Sequence, residues 1–132
     1  MNEIEKLKRV KELEVESWKD SKSMERKWLE IVAILEDVLK QNPQNVISLT
    51  NLGAIFSNLG RYEESLELLK KAEQLNFKDK NLYYNLAVVS ILVDFTAPSL
   101  ERERKINQYF ETSKTMESND LTFEAYIDYQ AM

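Results

Sequence analysis

Two asparagines, Asn51 and Asn85, stand 34 residues apart. Each carboxamide donates and accepts hydrogen bonds, so a pair at one recurring position can read the backbone of an extended peptide. The alternative is that each amide bonds a neighbouring helix or loop. Reactive chemistry has fewer candidates. The chain has no histidine and no cysteine. That excludes a histidine general base, a Ser-His-Asp triad, imidazole or thiolate metal sites and disulfides. Catalysis would rest on Asp, Glu, Lys or Tyr alone, and no carboxylate pair stands on an apolar, pocket-like background. The expectation is a non-enzymatic protein with no cofactor and no metal site.

The residues that would position these amides come from a chain of 132 residues, a length for one domain with a real core. Apolar residues make up 43% and charged residues 31%, a globular composition and not that of a disordered chain. Two glycines and two prolines argue against β-sandwiches and phosphate-cradling loops. An all-α protein is expected.

Charge narrows the partners. The net charge of −5 leaves no basic stripe for displacing counterions from phosphate, so nucleic acid is not expected. No helix face gathers Lys and Arg for a membrane surface. The longest apolar run, residues 86–93, is too short to span a bilayer, and the start has no apolar signal region. A cytoplasmic location is expected. The acids Asp120, Glu124 and Asp128 stand four apart near the end, with no basic residue in 118–132. They read as a solvated helix face or a meeting point for a basic partner. The charge-rich first helix and the run at 101–105 read as solvated faces.

Shifting the chain by 34 residues aligns its apolar positions. Trp28 falls on Tyr62, Val32 on Leu66, Leu35 on Leu69 and Val38 on Ala72. Leu49 falls on Tyr83, Leu52 on Leu86, Gly53 on Ala87 and Ile55 on Val89. Each unit reads as two helices. Stripes at three- and four-residue steps predict helices over about 2–19, 24–40, 45–59, 62–76, 80–94 and 98–117. Gly60 is expected to end one of them in a left-handed conformation, and Asp79 to cap another. Residues 94–99, with Thr96 and Pro98, read as a loop whose proline opens the following helix. Ser118-Asn119-Asp120 is capping chemistry for a seventh helix over about 119–131.

The stretch Leu49-x-x-Leu52-Gly53-x-x-Phe56, then Gly60-Arg61-Tyr62, Ser65, Leu69 and Ala72, resembles the tetratricopeptide repeat. The resemblance covers about 12–116, in units of about 12–45, 46–79 and 80–116, with residues 1–132 forming a single domain. Lys19 and Phe77 depart from the pattern. It implies an α–α superhelix of antiparallel hairpins, with about seven helices. The close helix crossing is read at Gly53 against Ser65, with Ala72 nearby.

In that family the first helix of each repeat lines a concave groove. The resemblance places Ile47, Thr50, Asn51, Ala54, Ser57 and Asn58 there in one repeat. In the next it places Asn81, Tyr84, Asn85, Val88, Ile91 and Leu92. The apolar members would be exposed in an empty groove, which points to a partner or to another part of the chain. Two occupants stay open, a segment of a partner protein and the final helix folding inward. Thr50, Ala54 and Asn81 stand where a carboxylate-clamping groove would carry bases, which argues against the acidic tails of heat-shock chaperones.

The expected function is a protein–protein interaction module, an adaptor or chaperone that takes a peptide or helix of a partner in this groove. The alternatives are a dedicated small acidic chaperone or neutralising partner of one effector or toxin, and an RNA-binding helical repeat. Oligomeric state is left open.

Overall fold

The computed structural model describes residues 1–93 and 99–126. Its described residues form six α-helices and no strand. They are α1 (Glu3–Ser17), α2 (Met24–Gln41), α3 (Val46–Asn58), α4 (Tyr62–Gln74), α5 (Lys80–Val93) and α6 (Leu100–Lys114). Helices α1/α2, α3/α4 and α5/α6 pair as hairpins, α2 packs on α3 and α4 on α5, and α3 also touches α5. The expected boundaries hold to within about three residues. Of the loop read at 94–99, residues 94–98, with Pro98, lie outside the described residues.

Short polar side chains start four of the helices, α1, α3, α5 and α6. The Asn2 side chain accepts from the Glu5 N–H, Asn45 from the Ser48 N–H, and Ser99 from the Arg102 N–H. Asp79 does the same for α5, accepting from the Leu82 N–H at 3.2 Å. Asn45 and Asp79 are 34 residues apart, so the cap repeats with the helices. The ends repeat too. Gly60 has φ +80°, and the Arg61 N–H reaches back to the Phe56 carbonyl. Asn76 takes φ +61° at the end of α4, and the Phe77 N–H reaches the Ala72 carbonyl. Both ends show the paired bonds of a Schellman motif, with asparagine tolerating the left-handed conformation in the second.

The crossing of α3 and α4 is as close as the residue types imply. The Ser65 hydroxyl donates to the Gly53 carbonyl at 2.6 Å. A Cβ on Gly53 would sit 2.6 Å from Leu69 side-chain carbons. Two apolar clusters follow from the stacking. One joins Leu7, Val10, Leu13, Trp28, Ile31, Leu35, Leu52 and Ile55; the other joins Leu49, Leu69, Ala72, Leu82, Leu86 and Tyr109. On α1 the stripe is narrower than its spacing implies. Leu7, Val10 and Leu13 are buried, whereas Ile4 and Trp18 at its ends stand exposed.

The seventh helix is a correction. Residues 119–126 are not helical, and 127–131 lie outside the described residues. The capping chemistry makes a turn instead. The Asn119 side chain accepts from the Leu121 N–H, and the Thr122 N–H donates to the Asn119 carbonyl. Beyond it the chain meets partners for its backbone outside itself, so no helical ladder is needed to satisfy those groups. Asp120 and Glu124 are exposed but share no helix face, and Asp128 lies outside the described residues.

Candidate functional site: an asparagine-lined groove

The first helices of the second and third hairpins, α3 and α5, carry the groove residues. Residues 119–126 run along them. The Asn51 Nδ2 donates to the Leu121 carbonyl at 2.8 Å, and its Oδ1 accepts from the Phe123 N–H at 3.1 Å. Asn85 repeats the arrangement two residues further on. Its Nδ2 donates to the Phe123 carbonyl at 3.1 Å, and its Oδ1 accepts from the Ala125 N–H at 2.7 Å. A residue of a parallel β-strand bonds its neighbour in the same way, to the carbonyl of one residue and the N–H two residues on. Each side-chain amide thus stands in for one residue of an adjacent strand. Both asparagines are wholly buried, and both ends of each amide are matched.

The other edge of the segment is held by groups outside this pair. Lys11 of α1 donates its ammonium to the Thr122 carbonyl at 2.8 Å. Asn58, at the end of α3, accepts from the Tyr126 N–H at 2.7 Å. One side chain of the segment is read through its polar group. The Thr122 hydroxyl accepts from the Asn81 Nδ2 at 2.9 Å and lies 3.3 Å from Asp79 Oδ1. That same carboxylate oxygen accepts the Asn119 N–H at 2.6 Å, while its partner oxygen caps α5. Asp79 therefore fixes the helix and the turn that delivers the segment.

Apolar contacts complete the seat. Phe123 and Ala125 are 3% and 4% exposed and join the cluster that contains Leu7, Val10, Ala54 and Val88. The Lys11 ammonium lies 5.9 Å from the Phe123 ring centroid. Tyr126 packs on Trp18 with centroids 5.2 Å apart, and Trp18 meets Trp28 edge-on at 5.8 Å. Trp28 donates its indole N–H to Ser17. Beside the segment an open cavity of about 680 Å³ is bordered by Lys11, Glu14, Trp18, Asn81 and Tyr84.

Of the groove positions expected from the sequence, Asn51, Asn58, Asn81 and Asn85 meet on this segment. Ala54 and Val88 are wholly buried in the same cluster as Phe123 and Ala125. Ile47, Tyr84, Ile91 and Leu92 pack partly buried against the same cluster. Thr50 is turned into its own helix, its hydroxyl donating to the Val46 carbonyl, and Ser57 is buried. Lys11, Asp79 and Thr122 were not among the expected site residues. The 34-residue repeat of Asn45 at Asp79 was the available signal for the cap. Nothing in the local pattern marks Lys11, which meets Thr122 across 111 residues. The repeat also shows why the ladder has two rungs. The position equivalent to Asn51 and Asn85 on α1 is Ser17, whose short hydroxyl bonds the Glu14 carbonyl within α1.

No curated protein and no solved structure shows significant similarity to the chain. A family model described as tetratricopeptide repeat matches residues 34–67, a span from the second half of α2 through α3 into α4. That span is one full period of the repeat and contains the close crossing at Gly53 and the rung at Asn51. Three stacked hairpins surround the matched span, an arrangement consistent with the helical-hairpin fold of the tetratricopeptide repeat.

Proposed function

We propose that the protein is an adaptor or chaperone that binds an extended segment of a partner protein along α3 and α5. The repeat family points to a protein–protein interaction module, in general a non-catalytic one. The observation that carries the finer reading is the pair Asn51 and Asn85, each spending both ends of its amide on an extended backbone. Main-chain bonds of this kind give affinity with little regard to sequence, and the pockets between them supply selectivity. No described helix is long and apolar enough to cross a membrane.

The test places a photoreactive residue at Tyr84 and a second one at Glu67 on the outer helix α4. Partners cross-linked from the native host through position 84, and not through position 67, are the expected result. In a chain whose own segment is kept out of the groove by Phe123→Ala/Ala125→Asp, capture should drop at least about tenfold when Asn51→Ala/Asn85→Ala is added, since each lost pair leaves polar groups unmatched. A partner held as tightly with the two asparagines replaced as with them present in that folded chain would place binding elsewhere on the molecule.

A further inference from the structure

We infer that residues 121–126 are a built-in copy of the ligand: the groove selects partner segments with a hydroxyl residue, then an aromatic, any residue, and a small residue, and the chain's own copy must leave before they enter. This rests on the groove reading above and adds what the occupant must look like.

Each element of the pattern has its reader. The hydroxyl position is Thr122, 1% exposed, which accepts from Asn81 and lies beside Asp79. Valine has nearly the same shape but would leave the buried Asn81 amide unmatched. A site built to bond a hydroxyl rejects the analogue that lacks it. The aromatic position is Phe123, sunk in the cluster of Leu7, Val10 and Val88 beneath the Lys11 ammonium. The third position is Glu124, exposed to solvent, so its identity is free. The fourth is Ala125, 4% exposed within the cluster that also holds Ala54 and Val88, where a larger side chain overfills the site. The backbone between them is read by Asn51, Asn85 and Asn58 whatever the sequence.

The groove is occupied by the chain itself, and a tethered segment is present at an effective concentration on the order of millimolar. A segment from outside must therefore outcompete it. The occupant is a segment of another protein and not the same segment of a second copy, since in each copy residues 119–126 are already seated in their own groove whereas a partner's segment has no such seat to give up.

The experiment uses the full chain and a labelled peptide of residues 118–126, Ser-Asn-Asp-Leu-Thr-Phe-Glu-Ala-Tyr. Phe123→Ala/Ala125→Asp opens the groove by removing the anchor and placing a charge in the small pocket. The opened chain should bind the peptide at least about tenfold more tightly than wild type, which still carries its competitor. Replacing the peptide's threonine by valine, or its phenylalanine by alanine, should weaken binding about tenfold or more. If the opened chain is too unstable to titrate, a second measurement serves. Excess peptide added to the wild-type chain should speed hydrogen exchange at the Phe123, Ala125 and Tyr126 amides as the tail is displaced.

Equal binding of the natural and valine peptides overturns the template while the groove reading stands. Unchanged exchange at those three amides under saturating peptide, together with no binding to a folded opened chain, overturns the displacement. A wild-type chain that sediments as a dimer and exchanges tails between copies overturns the choice of another protein as occupant. The groove reading fails separately, when partner capture ignores the Asn51/Asn85 pair.

Discussion

Helices α3 and α4 have equal length and form one hairpin, yet ten of thirteen residues of α3 are buried against three of α4. The reason is what surrounds them. Helix α4 faces α3 and α5 and turns Glu63, Glu64, Glu67, Lys70 and Lys71 to solvent. Helix α3 is covered by α2, α4, α5 and the 119–126 segment. Its polar residues, Ser48, Thr50, Asn51 and Ser57, are therefore interior groups. Helix α5 repeats this with Asn81 and Asn85. On α3 and α5 the buried asparagines at 51 and 85 bond a backbone that runs past them, whereas the charges of α4 meet water.

The contrast can be broken from the inside first. Asn51→Ala/Asn85→Ala should destabilise the chain by about 1–3 kcal/mol for each substitution, because buried main-chain groups at 121, 123 and 125 lose their partners. Chemical denaturation with an unchanged midpoint would show the segment to be loosely held. Gly53→Leu should cost about 1–3 kcal/mol by forcing a side chain into Leu69 at the α3/α4 crossing. A preserved melting temperature there would mean that the two helices can separate without loss. On the outer helix, Glu67→Ala should change stability by no more than about 0.5 kcal/mol, since Glu67 is exposed. An effect as large as that at Asn51 would erase the distinction between the two helices.

The effects of pH should be confined to its extremes. Between about pH 6 and 8 stability and binding should be flat, because no histidine is present to titrate. At the alkaline end, burial pushes the Tyr109 phenol up to about 12, with Glu73 and Tyr83 adding to the shift. The unfolded chain loses that proton near pH 10. Between those values the unfolded state binds fewer protons than the folded one, so stability should fall as pH rises above 10. Tyr109→Phe should remove that part of the loss, as read by denaturant midpoints at pH 9 and 11. At the acid end, Lys6 holds the Asp37 carboxyl below its usual range, and Arg61 does the same for Glu64. Both pairs stabilise above the ordinary carboxylate range and lose that contribution as pH falls through it, but they are exposed and the effect is slight.

The hairpins were legible because a 34-residue period carries its own evidence. Apolar stripes, caps at Asn45 and Asp79, and the turn at Gly60 all recur with it. The small residue at Gly53 was legible for the same reason, and so was the pairing of Asn51 with Asn85, although the backbone they bond is the chain's own at 121–125, the alternative of a neighbouring loop. What escaped was the occupant's shape. The run Ser118-Asn119-Asp120 caps helices in most settings, and here the same side-chain chemistry closes a turn. Local residues do not distinguish the two outcomes; the groove amides, from 38 to 72 residues away, decide. Lys11 was illegible because its contact with Thr122 belongs to no period.

The segment that closes the groove is also made after every helix it touches. During synthesis α1, α3 and α5 leave the ribosome before residues 119–126 exist, and hairpins of such local contacts form early. For that interval the polar floor of the groove faces water or other nascent chains. Docking of the last residues is then a separate, later event, one that ties Lys11 near the start to Thr122 near the end. In refolding it should appear as a change in Trp18 fluorescence, through its stacking on Tyr126, that lags behind the gain of helical circular dichroism. Simultaneous signals would mean that the hairpins and the final segment assemble in one step.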